Sequence, residues 1–186
     1  DRNDSCHRTR YSLRNSYSRK ALKVLLIGVT GDTHNNLKNI SKICDVFNNL
    51  KVSVVIHTGD ITLPKSLKAF SVLKVPMIGV FGNNDQYEKK ELTKASKSFE
   101  CKLYEEPYIF KIKNKKIFVL HHPELIDKKM IDAADIIVHG HTHRLREERI
   151  NNTLIFNPGE CAGFLKGKNK IGLIDIEKEE LKTISF

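Results

Sequence analysis

Three times in its first half, this chain runs an apolar, strand-length stretch into a short cluster of Gly, Asp, Asn and His, and then into a segment of helical character. KVLLIGV (23–29) leads into TGDTHNN, VSVVIH (52–57) into TGD, and PMIGVF (76–81) into GNND. Beyond the first cluster Leu37, Ile40, Ile43, Cys44 and Phe47 recur at helical spacing, with Asn35 or Asn36 available as the cap. Residues 64–73 read as a second helix with Pro64 near its first turn, and a Lys/Glu-rich helical segment runs on to about Phe99. Repeated strand–loop–helix order implies parallel strands joined by right-handed crossovers. In such a sheet the loops leaving the carboxyl ends of the strands gather on one edge, and ligands bind there. All three polar clusters fall at those ends.

After Glu100 the texture changes. YIFKI (108–112), KIFVLH (116–121) and DIIVHG (135–140) read as strands, with one short helix over 124–133. LREERI, NTLIF, KIGLIDI and ELKTISF alternate and turn often, which predicts antiparallel strands. NKK at 114–116 and NN at 151–152 are the expected hairpin turns. The expectation is an α/β architecture of two packed sheets with helices outside. With 186 residues and 40% apolar content, the chain has room for one ordinary domain and a sizeable core. No apolar run approaches the roughly 18 residues a membrane-spanning helix needs.

Residues 1–20 are polar, Arg- and Ser-rich and without apolar periodicity, and read as a disordered basic tail ahead of a folded domain over 21–186. They lack the apolar core of a secretory signal. The formal net charge of +10 invites a nucleic-acid reading, but six cations against two acids put +4 of it in that tail. Elsewhere Lys alternates with Glu and Asp as on a solvated surface, so nucleic acid is not the expected partner. Cys6, Cys44, Cys101 and Cys161 form no CxxC pair, and the chain is long enough to fold without disulfides. They read as free thiols, and the expected location is a reducing cytoplasm.

The chemistry-bearing residues are Asp32 and His34, Asp60, Asn83, His121, and His141 and His143, each just past an apolar strand. Residues two apart on an extended segment point the same way, so Asp32-x-His34 and His141-x-His143 can each present two ligands. A single catalytic metal takes about three protein ligands. Seven ligand-type side chains suit two metals sharing a bridging carboxylate, with positions left for water and substrate. Any one GD or GNN is an ordinary turn; the set together is not. His57, ending the second strand, reads as support for the neighbouring loop, and His139 as an interior structural residue.

In their order, D-x-H, GD, GN-x-D, H and GH-x-H, these motifs resemble the signature of the calcineurin-like metallophosphoesterase superfamily, within it the small single-domain phosphodiesterase branch. NPGE at 157–160 is similar to that branch's NPGS-type loop. The resemblance covers residues 23–186 and implies a four-layer α/β/β/α sandwich of two mixed sheets. It implies that Asp32, His34 and His143 hold one metal, that Asn83, His121 and His141 hold the other, and that Asp60 bridges them. Asp32, Asp60, Asn83 and His121 are then the catalytic residues. The implied reaction is in-line attack on a small phosphate ester by a metal-bridging hydroxide. Mn²⁺ is the expected ion, with Ni²⁺, Fe²⁺ and Zn²⁺ compatible with the same donors. Two divalent ions, two aspartates and one hydroxide leave the site near about +1, suited to an anionic ester.

Two positions depart from the pattern. Many superfamily members carry His, the proton donor to the leaving group, where this chain has Asn84, which has no proton to give at neutral pH. The lone His is followed by His122 rather than Gly, making His122 a candidate acid or a supporting or solvent-facing residue. Two rival readings are a metal-binding interaction scaffold of the same fold, like a eukaryotic retromer subunit, and a nuclease. The scaffold has degraded ligand positions, whereas all seven are filled here; nucleases of the superfamily carry added domains to grip nucleic acid, for which this chain has no room.

Overall fold

The computed structural model describes residues 25–186; the segment read as a tail lies outside the described residues. The three strand–loop–helix units form as expected. β1 (Leu26–Thr30), β2 (Val54–His57) and β3 (Met77–Val80) are parallel neighbours. They alternate with α1 (Leu37–Asn49), α2 (Pro64–Ala69), followed by a 3₁₀ turn over Phe70–Val72, and α3 (Lys89–Ser96). The cap of α1 is Asn36, whose side chain accepts from the Asn39 amide at 3.0 Å. A 3₁₀ stretch over Asn83–Glu88 carries the third polar cluster into α3.

Next come β4 (Cys101–Tyr104), β5 (Tyr108–Ile112), β6 (Lys115–Val119), α4 (Lys128–Ala133) and β7 (Ile136–Val138). The chain ends with β8 (Arg146–Ile150), β9 (Thr153–Asn157), β10 (Lys170–Asp175) and β11 (Glu180–Ser185). The six-stranded sheet has the order β11-β10-β1-β2-β3-β4, and the five-stranded sheet β5-β6-β7-β9-β8.

Both sheets are mixed, and three apolar cores separate four layers. Ile27, Val29, Ile56 and Val80 of one sheet meet Ile117, Val119, Val138 and Phe156 of the other. The outer face of the first sheet packs on Ile40, Ile43, Phe47, Leu67 and Leu92 from α1, α2 and α3. The outer face of the second packs Phe118, Ile137 and Ile155 on Met130 and Ile131 from α4. This is the α/β/β/α sandwich that the resemblance implied. Among the described residues no helix is long and apolar enough to cross a membrane.

Three local expectations are corrected. The single helix over 124–133 is a 3₁₀ turn at Pro123–Leu125 and then α4. Asp127 makes the break: its side chain accepts from the Met130 amide at 2.7 Å and starts a new helix. The hairpin turn expected at 114–116 is tighter, because Lys115 and Lys116 already belong to β6 and Lys113 takes a left-handed φ of 53°. The turn at Asn151–Asn152 is where it was expected, between β8 and β9.

β4 passes unmarked in the sequence. CKLY is short and carries Lys102 in its middle, yet as an edge strand it needs only one row of partners, supplied by β3. The C-terminal strands are not all antiparallel neighbours. β9 runs parallel to β7, and β10 crosses to the first sheet to pair antiparallel with β1. Alternation of apolar residues records which face is buried but not which strand lies alongside.

Candidate metal centre

The seven side chains singled out in the sequence converge at the carboxyl ends of the parallel strands of both sheets. Asp32 and His34 follow β1, Asp60 follows β2 and Asn83 follows β3; His121 follows β6, and His141 and His143 follow β7. Asp32 and Asp60 are buried, as is His121. Two three-residue groups, Asp32 with His34 and His143, and Asp32 with Asp60 and His121, each bring ligand atoms within 4.8 Å of one another. His121 with His122 and His141 forms a third.

The paired motifs reach this arrangement by a different backbone from the extended one expected. Asp32 (φ 47°), His34 (φ 44°), His141 (φ 70°) and His143 (φ 54°) are all left-handed, as are Asp60 (φ 60°) and Thr62 (φ 78°). Left-handed backbone costs a non-glycine residue roughly 1–2 kcal/mol. Such conformations persist where surroundings over-determine them, typically at functional sites. Here the amides of Asp32 and His34 donate to the carbonyls of Gly59 and Asp60, both at 2.9 Å, locking the first loop onto the second. Gly82 is required by close approach: a Cβ there would lie 2.2 Å from Oδ1 of Asp60.

The hydrogen bonds define which ring nitrogens are free. Nδ1 of His121 lies 2.9 Å from the Thr58 carbonyl, to which it must donate. Its Nε2 is thereby left as a lone pair, 2.8 Å from Oδ1 of Asn83 and 3.5 Å from Oδ2 of Asp60. Nδ1 of His141 faces the same Asn83 oxygen at 3.0 Å and His121 Nε2 at 3.2 Å. On the other side, Nδ1 of His143 donates to Oε2 of Glu160 at 2.7 Å, and Nδ1 of His34 meets the Thr62 hydroxyl at 3.3 Å. The two Nε2 atoms face each other at 3.3 Å, with Asp60 Oδ2 3.9 Å from that of His34. At His121 Nε2 and Asn83 Oδ1 a lone pair is turned on a lone pair at hydrogen-bond distance, beside buried carboxylates, which is what a cation would satisfy.

Burial without compensating charge shifts the ionisation of these groups. Desolvation pushes the Asp32 carboxyl up to about 7, against the pull of His143 and with repulsion from Asp60. It holds His34 and His121 below the ordinary imidazole range. Bound cations reverse the first shift, favouring an ionised carboxylate, and reinforce the second, favouring neutral imidazoles. The donor set therefore fits metal.

Around these side chains stand carboxylates whose roles the sequence analysis did not assign. Asp85, fully buried, accepts from the amides of Asp60 (2.9 Å), Thr62 (2.6 Å) and Gly82 (2.8 Å), tying the second loop to the third. Desolvation raises it to about 6 despite these donors. Glu160 orients His143 as described. Glu106 accepts from the amides of His121 and His122 at 2.7 and 2.9 Å and from Nδ1 of His122 at 2.5 Å. His122 is thus fixed, its ring centroid 4.7 Å from that of His141.

The GN-x-D and NPGE motifs were visible signals for Asp85 and Glu160; Glu106 had none. Asn84, the departure from the family pattern, gives its side chain to Asp60 Oδ2 at 2.7 Å and its amide to Oδ1 at 2.8 Å. His57 is a supporting residue: the Gly59 amide donates to its Nδ1 at 3.2 Å and its Nε2 meets the Thr33 hydroxyl at 3.0 Å. His139 is interior, its Nδ1 3.1 Å from the Gly140 carbonyl.

Residues 25–179 match the calcineurin-like phosphoesterase superfamily domain, and the chain belongs to that family. It is 35% identical over 162 residues to the phosphodiesterase MJ0936 of Methanocaldococcus jannaschii, covering 85% of this chain and 97% of that protein. A probable metallophosphoesterase of Methanothermobacter thermautotrophicus is 27% identical over 139 residues, covering 73% of this chain and 76% of that protein. Among solved structures, an archaeal phosphodiesterase aligns with TM-score 0.77 at 34% identity, over 87% of this chain and all of the other. The YfcE phosphoesterase of E. coli, at 18% identity and TM-score 0.65, covers 87% of this chain and 99% of its own and shares the fold.

Proposed function

We propose that this chain is a dinuclear metal-dependent phosphodiesterase acting on small phosphate diesters. The observation that carries the reading is the facing of His121 Nε2 and Asn83 Oδ1 at 2.8 Å, after the other nitrogen of His121 has been committed to Thr58. In this reading Asp32, His34 and His143 hold one ion, Asn83, His121 and His141 hold the second, and Asp60 is shared. Its Oδ2, 3.5 Å from His121 and 3.9 Å from His34, supports the sharing. Imidazole, carboxylate and amide oxygen suit Mn²⁺, Ni²⁺, Fe²⁺ or Zn²⁺ better than Ca²⁺, and Mn²⁺ is the ion to supply first. When bound, two divalent ions supply positive charge to the ester's oxygens and lower the pKa of an attacking water.

The protein's own residues fix orientation. Thr58 and Glu160 set the tautomers of His121 and His143, Asp85 holds the Asp60 backbone, and the His141 amide donates to both Asp32 oxygens at 2.9 and 3.0 Å. Asn84 is spent on Asp60 and supplies no proton, so an acidic leaving group is favoured. Glu160 adds a negative charge that the count from aspartates alone lacked, which takes the loaded site towards neutrality. That favours a diester with one charge over a dianionic monoester. The likeness to a named phosphodiesterase supports the same choice. The unpaired, buried Cys44, Cys101 and Cys161 support a reducing, cytoplasmic location.

The test compares bis(nitrophenyl) phosphate with nitrophenyl phosphate at equal metal and pH, before and after chelation. Faster hydrolysis of the diester, lost on chelation and restored by Mn²⁺, is expected. Equal rates in stripped protein would remove the metal from the reading, and a preference for the monoester would remove the diester.

A further inference from the structure

The loop after β9 sets an aromatic ring at the edge of the centre that neither ligation nor core packing uses. Phe164 is 69% exposed, yet its ring centroid lies 5.3 Å from that of His34 and 5.6 Å from that of His143, tilted only 14° from the latter. Single exposed apolar residues are ordinary. This one has apolar company: Leu165 is 55% and Leu145 44% exposed.

Its backbone is also anchored on both sides. Glu160 Oε1 accepts from the Phe164 amide at 2.9 Å, the carboxylate whose other oxygen orients His143. Asn36 donates to the Ala162 carbonyl at 2.7 Å. Gly163 between them has φ +81°, and a Cβ there would meet the Asn36 side chain at 2.6 Å. The ring is therefore held over the ligand histidines, rather than left to swing with a surface loop.

Beside it opens a cleft of about 250 Å³, whose lining includes Leu145, Leu165 and Pro158, the cations Arg144, Lys168 and Lys170, and the buried carboxylate of Glu160 already committed to His143 and the Phe164 amide. Pockets that enclose a drug-sized ligand run to roughly 300–1,000 Å³, so this one accepts a single substituent rather than a whole ligand. Apolar walls with a cationic rim suit an aromatic group attached to an anionic ester.

We propose that Phe164 is a specificity-determining residue, which stacks on the planar aromatic group, aryl or nucleobase, that the phosphodiester carries opposite its leaving group, seated beside this cleft. The inference rests on the phosphodiesterase reading.

Three diesters sharing the nitrophenolate leaving group test it: the methyl, phenyl and thymidine esters of nitrophenyl phosphate. Stacking on an aromatic side chain is expected to lower the aromatic-to-methyl ratio of kcat/KM roughly tenfold in Phe164→Ala, through KM, while Phe164→Trp keeps it. Comparing ratios between variants cancels the intrinsic reactivity of each ester. A fall for both phenyl and thymidine esters identifies any planar group as the ligand; a fall for thymidine alone identifies a nucleobase. Calorimetric titration of the Mn²⁺-loaded protein with phenylphosphonate and methylphosphonate gives the second arm: phenylphosphonate binding should weaken roughly tenfold in Phe164→Ala and methylphosphonate binding should not. An unchanged ratio and unchanged phenylphosphonate affinity, in a variant of normal melting temperature and metal content, would overturn the inference. If the wild type hydrolyses none of the three esters, the phosphodiesterase reading fails, and the binding arm still decides the stacking.

Discussion

Glu160 is the residue on which most of the candidate site turns. One oxygen fixes the tautomer of His143, and the other fixes the backbone of Phe164. A carboxylate behind a ligating histidine raises its basicity and orients its ring, and loss of such a partner typically costs 10- to 100-fold in metal affinity. Glu160→Gln should weaken metal binding by roughly that factor, read by calorimetric Mn²⁺ titration of stripped protein. Affinity equal to the wild type's would mean that His143 needs no charged partner.

Asn84 poses the converse question, because its amide is bound to Asp60 and gives no proton to a leaving group. Asn84→His should raise the rate on alkyl diesters, the poor leaving groups, by about 10²-fold if the imidazole reaches the departing oxygen. Nitrophenyl diesters need no proton and should gain little. Equal gains on both would point to an altered metal site instead of acid catalysis.

Among the elements, α1 does two jobs. Its buried face, with Ile40, Ile43, Cys44 and Phe47, covers the first sheet, and its cap Asn36 reaches across to the Ala162 carbonyl. Asn36→Ala removes a helix cap worth about 1 kcal/mol and a second hydrogen bond of similar size. Urea unfolding should therefore show a loss of roughly 1–3 kcal/mol. Asn36→Ser keeps a capping acceptor without reaching Ala162, so it should recover about half. If both variants unfold like the wild type, the anchor of the 162–164 segment lies elsewhere. Loops in left-handed conformation show the same division of labour: six strained non-glycine residues, from Asp32 to His143, are held by hydrogen bonds between loops of different strands.

For the whole molecule, burying the centre has a consequence in acid. His57 is enclosed with Nδ1 accepting from the Gly59 amide and Nε2 against the Thr33 hydroxyl, and desolvation pushes its pKa from 6.5 down to about 3. In the unfolded chain the imidazole takes a proton near 6.5; in the folded protein it resists until about 3. Stability is thus fully retained above the unfolded value and falls as pH drops through this window, by about 1.4 kcal/mol per pH unit for one group. Asp60, His121 and His34 are the charged and titratable neighbours that act on it. In metal-free protein, urea unfolding from neutral to about pH 4 should show a shallower slope in His57→Gln than in the wild type, by roughly that amount. Parallel curves would show that the imidazole already titrates in the fold.

How far the sequence reached at this scale can be judged from particular residues. Apolar periodicity marked β1 to β3 and α1 because burial of one face leaves its period in the chain. Asp32, His34, Asp60, Asn83, His121, His141 and His143, the candidates that converge, stood out because ligand-type residues stood at the ends of those strands. Partnership was not visible. Glu160 meets His143 across 17 positions, Asp85 meets the Asp60 amide across 25, and Glu106 meets His121 across 15. β9 lies parallel to β7, and β10 leaves for the other sheet. A hydrogen bond between distant residues leaves no period in the chain. It exists only once the packing of Ile27, Val29 and Ile56 against Val119, Val138 and Phe156 has joined the two sheets and brought their loops to one edge.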